Sequence, residues 1–382
     1  MFALLRSSHS AIRRFSSARA IVYAENGEPT KVLSVLTIPT PPSPPPNAVN
    51  IRFLLSPVNP ADINVVEGVY PTKPSKADLL NVPGRETAMF VGGNEGLARV
   101  TALGDGVDKL SVGDWVIMTK QQSGTWATDR TVSVHDVVQV PDADTLTEAQ
   151  AATLTVNPPT AYNMLSDFVD LKEGDWVVQN GANSAVGQAV IQIAASRGLR
   201  TINLIRDRPD LQTLVNKLQK LGANHVLTYD QLSDKSVREK VKEWTEGKPI
   251  RLGLNCVGGK ETTAMARLLG SDAQLVSYGA MAKQPLSLPT SLFIFKNLTC
   301  HGFWQSRWYK QRSLAERETL IHNLVNLIKT KQLDTPEHEI ITIEAQESDE
   351  EASQKVRNVM KALAEGSYGK KVLLKLASSN GP

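Results

Sequence analysis

The run Trp176-Val-Val-Gln-Asn-Gly-Ala-Asn-Ser-Ala-Val-Gly187 decides the architecture. Its apolar start reads as a strand ending at Gln179, residues 180–184 are turn formers, and a helix is expected to open near Ala185. A helix start leaves backbone N–H groups unpaired and carries the positive end of the helix dipole, so the geometry suits a diphosphate. Gly187 lets that helix pack closely on the strand. The glycine pattern is incomplete, because the G-x-G-x-x-G dinucleotide fingerprint has glycines where Ala182 and Ser184 stand. By itself the segment fits a plain α/β core equally well.

The next strand, expected over 201–205, adds a charge argument. An NAD site carries an acid about 20 residues past the fingerprint, on the ribose 2′-hydroxyl. Here Arg206 occupies that place, followed by Asp207 and Arg208. Two guanidiniums at a strand end suit a 2′-phosphate and hence NADPH. Asp207 leaves a 2′-hydroxyl open, and surface arginines capping the following helix are the bland alternative. Helices over 185–197 and 211–221 alternate with strands over 175–179, 201–205, 225–227, 251–255 and 274–278. That alternation predicts an α/β fold with a doubly wound parallel sheet.

Upstream, residues 21–150 read as short strands (49–55, 96–103, 115–119) broken by Pro- and Gly-rich turns, a β-rich domain. Residues 39–46, Pro-Thr-Pro-Pro-Ser-Pro-Pro-Pro, form a stiff extended connector. Residues 149–167 are helix-compatible, with Asn157-Pro-Pro159 read as a break. Downstream, 305–382 carries a helix around 319–329 and a strand over 371–376. The division expected is a leader (1–19), a first catalytic part (20–155), a cofactor domain (156–304) and a returning catalytic part (305–382).

The leader stands apart in composition. It holds Arg6, Arg13, Arg14 and Arg19, five serines and no acid, with Phe2, Leu4, Leu5, Ile12 and Phe15 as an apolar side. That is the composition of an organelle transit peptide, with a basic tail as the alternative. It takes four of the 42 basic residues and none of the 39 acidic ones, leaving 38 against 39. The rest is therefore near neutral, which argues against nucleic-acid binding. No apolar run is long enough to span a membrane. Cys256 and Cys300 are too few for a disulfide framework. Segments 56–62 and 92–96 contain no Cys or His, and the six histidines form no short-spaced pair of ligands, so no metal site is expected. A G-x-S-x-G elbow is missing too, which disfavours a serine hydrolase.

Several segments in fixed order then carry a resemblance: Ser56-Pro-Val-Asn-Pro-Ala-Asp62, Gly68-Val-Tyr-Pro71, Gly92-Gly-Asn-Glu-Gly96, Gly113-Asp-Trp-Val116, Val156-Asn-Pro-Pro159, Arg206-Asp-Arg-Pro209 and Gly302-Phe-Trp304. The chain resembles the zinc-free medium-chain dehydrogenase/reductases, and among them the mitochondrial 2-enoyl thioester reductases, from about Ala20 to Leu376. Pro83-Gly-Arg-Glu-Thr87 departs from the pattern by its charge. The resemblance implies a GroES-like catalytic domain, a Rossmann domain binding NADPH, and a homodimer in the mitochondrial matrix. It implies reduction of trans-2-enoyl thioesters, on acyl carrier protein or CoA, in fatty acid synthesis. It makes Tyr70 the catalytic tyrosine. It places Asn157, Asn183, Ser184, Ala185, Val186, Arg206, Asp207, Arg208, Tyr278, Gly279, Ala280, Met281, Phe303, Trp304, Gln305 and Lys370 at the cofactor, with Ala280 where the family has glycine.

In physical terms, hydride addition to the β carbon leaves negative charge on the thioester oxygen, which needs a positioned donor. A tyrosine hydroxyl can hydrogen-bond that oxygen or protonate the α carbon, and the residues alone leave both roles open. Without the G-V-Y-P context Tyr70 would be a packing residue. Arg307, Lys310 and Arg312 read first as a solvated basic face and second as a contact for an acidic carrier or CoA phosphates. The competing functions are a quinone or alkenal reductase of the same superfamily and a non-catalytic NADPH-sensing regulator.

Overall fold

The computed structural model describes residues 17–72, 74, 88–232 and 234–377. Most of the leader and all of Pro83–Thr87 lie outside these residues.

Six parallel strands form the cofactor sheet, in the spatial order His225–Thr228, Arg200–Ile205, Trp176–Asn180, Ile250–Asn255, Leu269–Ser277, Thr299–Gly302. Numbered along the chain this is 3-2-1-4-5-6, the doubly wound order, whose crevice opens where the order reverses. The central strand Trp176–Asn180 is buried along its whole length, as a strand covered on both faces must be. Its polar end is hydrogen-bonded: Gln179 Nε2 donates to Gly187 O (2.9 Å) and Asn203 Oδ1 (2.8 Å). The helix Ala185–Ser196 follows, and the helix Asn157–Met164 packs beside it.

The expected break at Asn157-Pro-Pro159 is a helix start. Prolines are tolerated at the first helical positions, where no N–H is needed, so the interruption falls at 153–156 instead. The helix Leu314–Lys329 buries Leu320, Ile321, Leu324, Val325 and Ile328 in the core that contains Ala161, Met164, Val190 and Ile193. The chain re-enters the first half only with the strand His338–Ile343, well past 305.

The β-rich half holds a seven-stranded sheet built round Ala48–Pro57 and closed on one side by the parallel pair His338–Ile343 and Lys371–Leu376. A smaller sheet sets Ser17–Tyr23 between Ser34–Pro39 and Phe90–Val91. The last three residues assigned to the leader thus sit in a strand. Arg19 is buried, donating from Nη1 to Glu344 O (2.8 Å) and pairing with Asp349 (3.3 Å) at the start of the helix Asp349–Ala364. Among the described residues no helix is long and apolar enough to cross a membrane.

Candidate active site

At the end of the central strand the chain turns at Gly181, with φ +60°. Its N–H donates to the Tyr229 hydroxyl (3.1 Å). Ser184 caps the helix, its Oγ accepting from Gly187 N–H (3.1 Å), while Asn183, Ala185 and Val186 line the same turn. A Cβ on Gly187 would lie 2.6 Å from the backbone of Ala182, so a glycine is required for the approach. The strand, tight turn and helix start thus stand in the order read from the sequence. At the next strand end Arg206 and Asp207 are exposed, and Arg208 is half-buried with its Nε enclosed and without a partner. An enclosed guanidinium Nε without a partner, at the strand end that follows this turn, fits the 2′-phosphate of NADPH.

Across the switch point Tyr278 follows the strand Leu269–Ser277, its N–H on Asn255 O (2.9 Å). Burial, reinforced by Cys256, pushes its hydroxyl well above the usual tyrosine range. Gly279 lies against the Cys256 backbone, whereas Ala280 and Met281 are exposed. Phe303 continues the line, its N–H on Ser277 O (2.9 Å). Gln305 is buried and accepts from Asn163 Nδ2 (3.1 Å).

Trp304 brings the two halves together. It stands between the last sheet strand and the helix Gln305–Gln311, and its Nε1 donates to the Tyr70 hydroxyl at 2.8 Å. Tyr70 is placed by the end of the helix Pro60–Glu67, where Gly68 at φ +79° turns the chain and Tyr70 N–H bonds Asn64 O (3.1 Å). Burial raises the Tyr70 hydroxyl, partly offset by hydrogen bonds from Trp304 and Ser306. Trp304 Nε1 can only donate, so the Tyr70 oxygen accepts there and its own hydrogen can serve another acceptor.

Behind Tyr70 lies a buried polar cluster that sequence reading overlooked. Glu95 is fully buried, accepting from Thr155 N–H (3.0 Å), Val156 N–H (2.8 Å) and Asn59 Nδ2 (2.8 Å). Asn59 Oδ1 accepts in turn from Asn157 Nδ2 (3.2 Å) and Lys371 Nζ. Asn59 N–H donates to Asp62 Oδ2 (2.7 Å). Burial, the largest influence, drives the Asp62 carboxyl up to about 7 and raises Glu95, with Lys371 pulling both back. Burial lowers Lys371 against the same two acids. Asn157, expected at the cofactor, is hydrogen-bonded to this cluster through Asn59. Of the C-terminal lysines Lys370 is exposed and Lys371 turns inward, because neighbours on a strand face opposite ways. Among the described residues no group of three His, Cys, Asp or Glu is gathered as a metal site.

A GroES-like half joined to a 3-2-1-4-5-6 cofactor sheet, with a tyrosine at the seam, defines a medium-chain dehydrogenase/reductase. Two family models agree: an alcohol dehydrogenase GroES-like domain over 45–142 and a zinc-binding dehydrogenase over 185–321. Closer similarity is to the mitochondrial enoyl-[acyl-carrier-protein] reductases. The Yarrowia lipolytica protein is 44% identical over 87% of this chain and 85% of its own, and the Homo sapiens protein 43% over 91% and 89%. A solved Etr1p/NADP/crotonyl-CoA complex matches with a TM-score of 0.86 at 35% identity, covering 94% of this chain and 99% of that one. The chain belongs to the mitochondrial enoyl-[acyl-carrier-protein] reductase family.

Proposed function

We propose that this chain reduces the trans-2 double bond of enoyl thioesters with NADPH, in fatty acid synthesis in the mitochondrial matrix, with Tyr70 as the donor to the substrate. One observation carries the assignment of Tyr70: Trp304 holds its oxygen at the seam of the two halves, leaving its hydrogen free. The dinucleotide supplies the hydride when bound. The turn 181–187 holds its diphosphate, Arg206 and Arg208 its 2′-phosphate, and Asp207 fixes the Arg208 backbone by accepting its N–H (2.9 Å). Asn183, Ser184, Ala185 and Val186 line its path, and Tyr278, Gly279, Ala280, Met281, Phe303 and Gln305 follow it toward the seam. Lys370 reaches it from the surface. Tyr70 delivers its proton to the α carbon of the enolate that hydride addition leaves.

The assembly we propose is a homodimer formed through the cofactor sheet. Its last strand, Thr299–Gly302, is an unpaired edge, and the preceding helix Thr290–Lys296 exposes Phe293, Ile294 (67%) and Phe295 (80%). An open edge beside exposed aromatics calls for a cover, and a second copy offers the same edge in return. Arg307 and Lys310 lie over the Trp304 ring and Arg312 over Trp308, a cationic rim suited to the phosphates of a CoA or carrier-bound thioester.

The test is NADPH oxidation by the full chain with trans-2-hexenoyl-CoA, wild type against Tyr70→Phe. We expect kcat to fall about 10²–10³-fold, within the usual loss for a general acid, with NADPH binding unchanged. Full activity of the mutant, or oxidation with quinones or alkenals alone, overturns the reading.

A further inference from the structure

Tyr70 shares a narrow cavity with Asp62 and Gln121, walled also by Val65, Asn94 and Ser306. The polar atoms facing it are unusually idle. Asp62 is 2% exposed; its Oδ2 accepts from Asn59 N–H, and its Oδ1 meets no partner at hydrogen-bonding geometry, although the nearby Asn94 N–H also favours the carboxylate. Both side-chain atoms of the Gln121 amide are enclosed and unpartnered as well. Buried polar groups left unmatched cost free energy, so a lined space with idle donors and acceptors is where an ordered water or a moving proton belongs. A second cavity continues from the far side of Asp62, past Asn94 and Gln122, to the Tyr23 hydroxyl, also enclosed and unpartnered, and to Pro74.

Resting on the reductase reading above, we infer that Asp62 is the proton reservoir for Tyr70, refilling it through a water held by Gln121. The step balances. The enolate's electron pair takes the Tyr70 proton at the α carbon, the O–H bond breaks and a phenolate remains. The Asp62 carboxyl then passes its proton through the water to that phenolate and becomes a carboxylate. Solvent restores the Asp62 proton before the next turnover, so each cycle consumes one proton from water. Asp62 touches neither substrate nor cofactor; it is a positioning residue that acts through Tyr70.

The surroundings suit the task. The charged and titratable groups facing Asp62 are Lys371 and Glu95 from the polar cluster and Tyr23 and Tyr70 across the cavities. Burial outweighs the pull of Lys371 and holds the carboxyl at about 7, where it can release and regain a proton near neutrality. A carboxyl raised in this way is loaded below pH 7 and empties as pH rises through it. Turnover should therefore fall on the alkaline side of a limb near 7.

The experiment compares the full-length wild type with Asp62→Asn and Gln121→Met, using NADPH and trans-2-hexenoyl-CoA in H2O and D2O from pH 5.5 to 9. Asp62→Asn keeps an acceptor for Asn59 N–H, so the helix start survives, and Gln121→Met removes the amide without touching that helix. For both we expect NADPH affinity and KM near wild type, kcat at least about tenfold lower (roughly 1.4 kcal/mol) and a larger solvent isotope effect. The limb near 7 should vanish in Asp62→Asn. Wild-type kcat in either variant overturns the inference. So does a lower kcat with the isotope effect and limb retained, which marks a merely structural role. Should Asp62→Asn not fold, Gln121→Met decides alone by kcat and isotope effect. An inactive wild type would instead remove the reductase reading itself.

Discussion

On the cofactor side, Gly181, Ser184 and Gly187 shape a single turn through local backbone contacts, and to that turn we assign the diphosphate. On the reaction side, Asn59, Asp62, Glu95, Asn157 and Lys371 come from separated stretches and meet through their side chains. The first site is local, so it forms wherever the strand, turn and helix form. The second needs stretches far apart in the chain to meet, with Asn157 reaching it from the cofactor side, and it encloses charges that must be matched or neutralised. The first should tolerate side-chain changes and fail on backbone crowding, and the second should do the reverse.

The largest effect is expected at Glu95. Glu95→Leu removes the acceptor of two backbone N–H groups and of Asn59, and leaves Lys371 facing one acid fewer. Breaking a buried, hydrogen-bonded charge network costs on the order of 3–5 kcal/mol. Ser184→Ala, which removes a helix cap on the cofactor side, should cost only about 1 kcal/mol. Urea unfolding of the two variants checks this. Equal losses would break the contrast between the sites.

The same contrast explains what could be read from the chain. Alternating strands and helices from 175 onward implied a parallel doubly wound sheet, because each element signals itself over a few residues. The turn at 181–187 was legible for that reason, even with Ala182 and Ser184 in place of glycines. Asn59, Asp62 and Glu95 lie in segments that speak, in the sequence, only to zinc ligation and to family resemblance. Their partners Thr155, Val156, Asn157 and Lys371 are remote, so nothing local marked them. A faint signal existed at Glu95, a carboxylate between Gly93 and Gly96 with Leu97 beyond and no neighbouring cation. Tyr70 and Trp304 are marked only by family resemblance, since a tyrosine after Gly68 and a tryptophan after Gly302 make no pattern of their own. The proline pair at 158–159 misled because proline ends helices in their interior and begins them at the edge.

Backbone crowding is the matching test on the cofactor side. Gly187→Ala places a Cβ 2.6 Å from the Cα and carbonyl oxygen of Ala182, and backbone cannot step aside as a side chain can. Overpacking of this kind costs about 1–3 kcal/mol. Because the turn itself must shift, NADPH affinity measured by fluorescence titration should fall about tenfold, or 1.4 kcal/mol. A variant with wild-type stability and affinity would show that the turn is not held by this contact.

The smallest effect sharpens the comparison, because Arg208 is a side chain serving the otherwise backbone-built site. Its enclosed Nε has no protein partner, yet it sits at a strand end open to solvent, so its interaction with a phosphate is partly screened. Arg208→Ser should raise the apparent Kd for NADPH roughly tenfold, the lower end for a charge-assisted hydrogen bond at 1.4 kcal/mol. NADH, which lacks the 2′-phosphate, should bind as before, and folding stability should not change. Selective loss would assign the diphosphate to backbone and the 2′-phosphate to guanidinium. Equal weakening of NADPH and NADH would instead mean that Arg208 supports the turn, and that the two ends of the cofactor site are not separable.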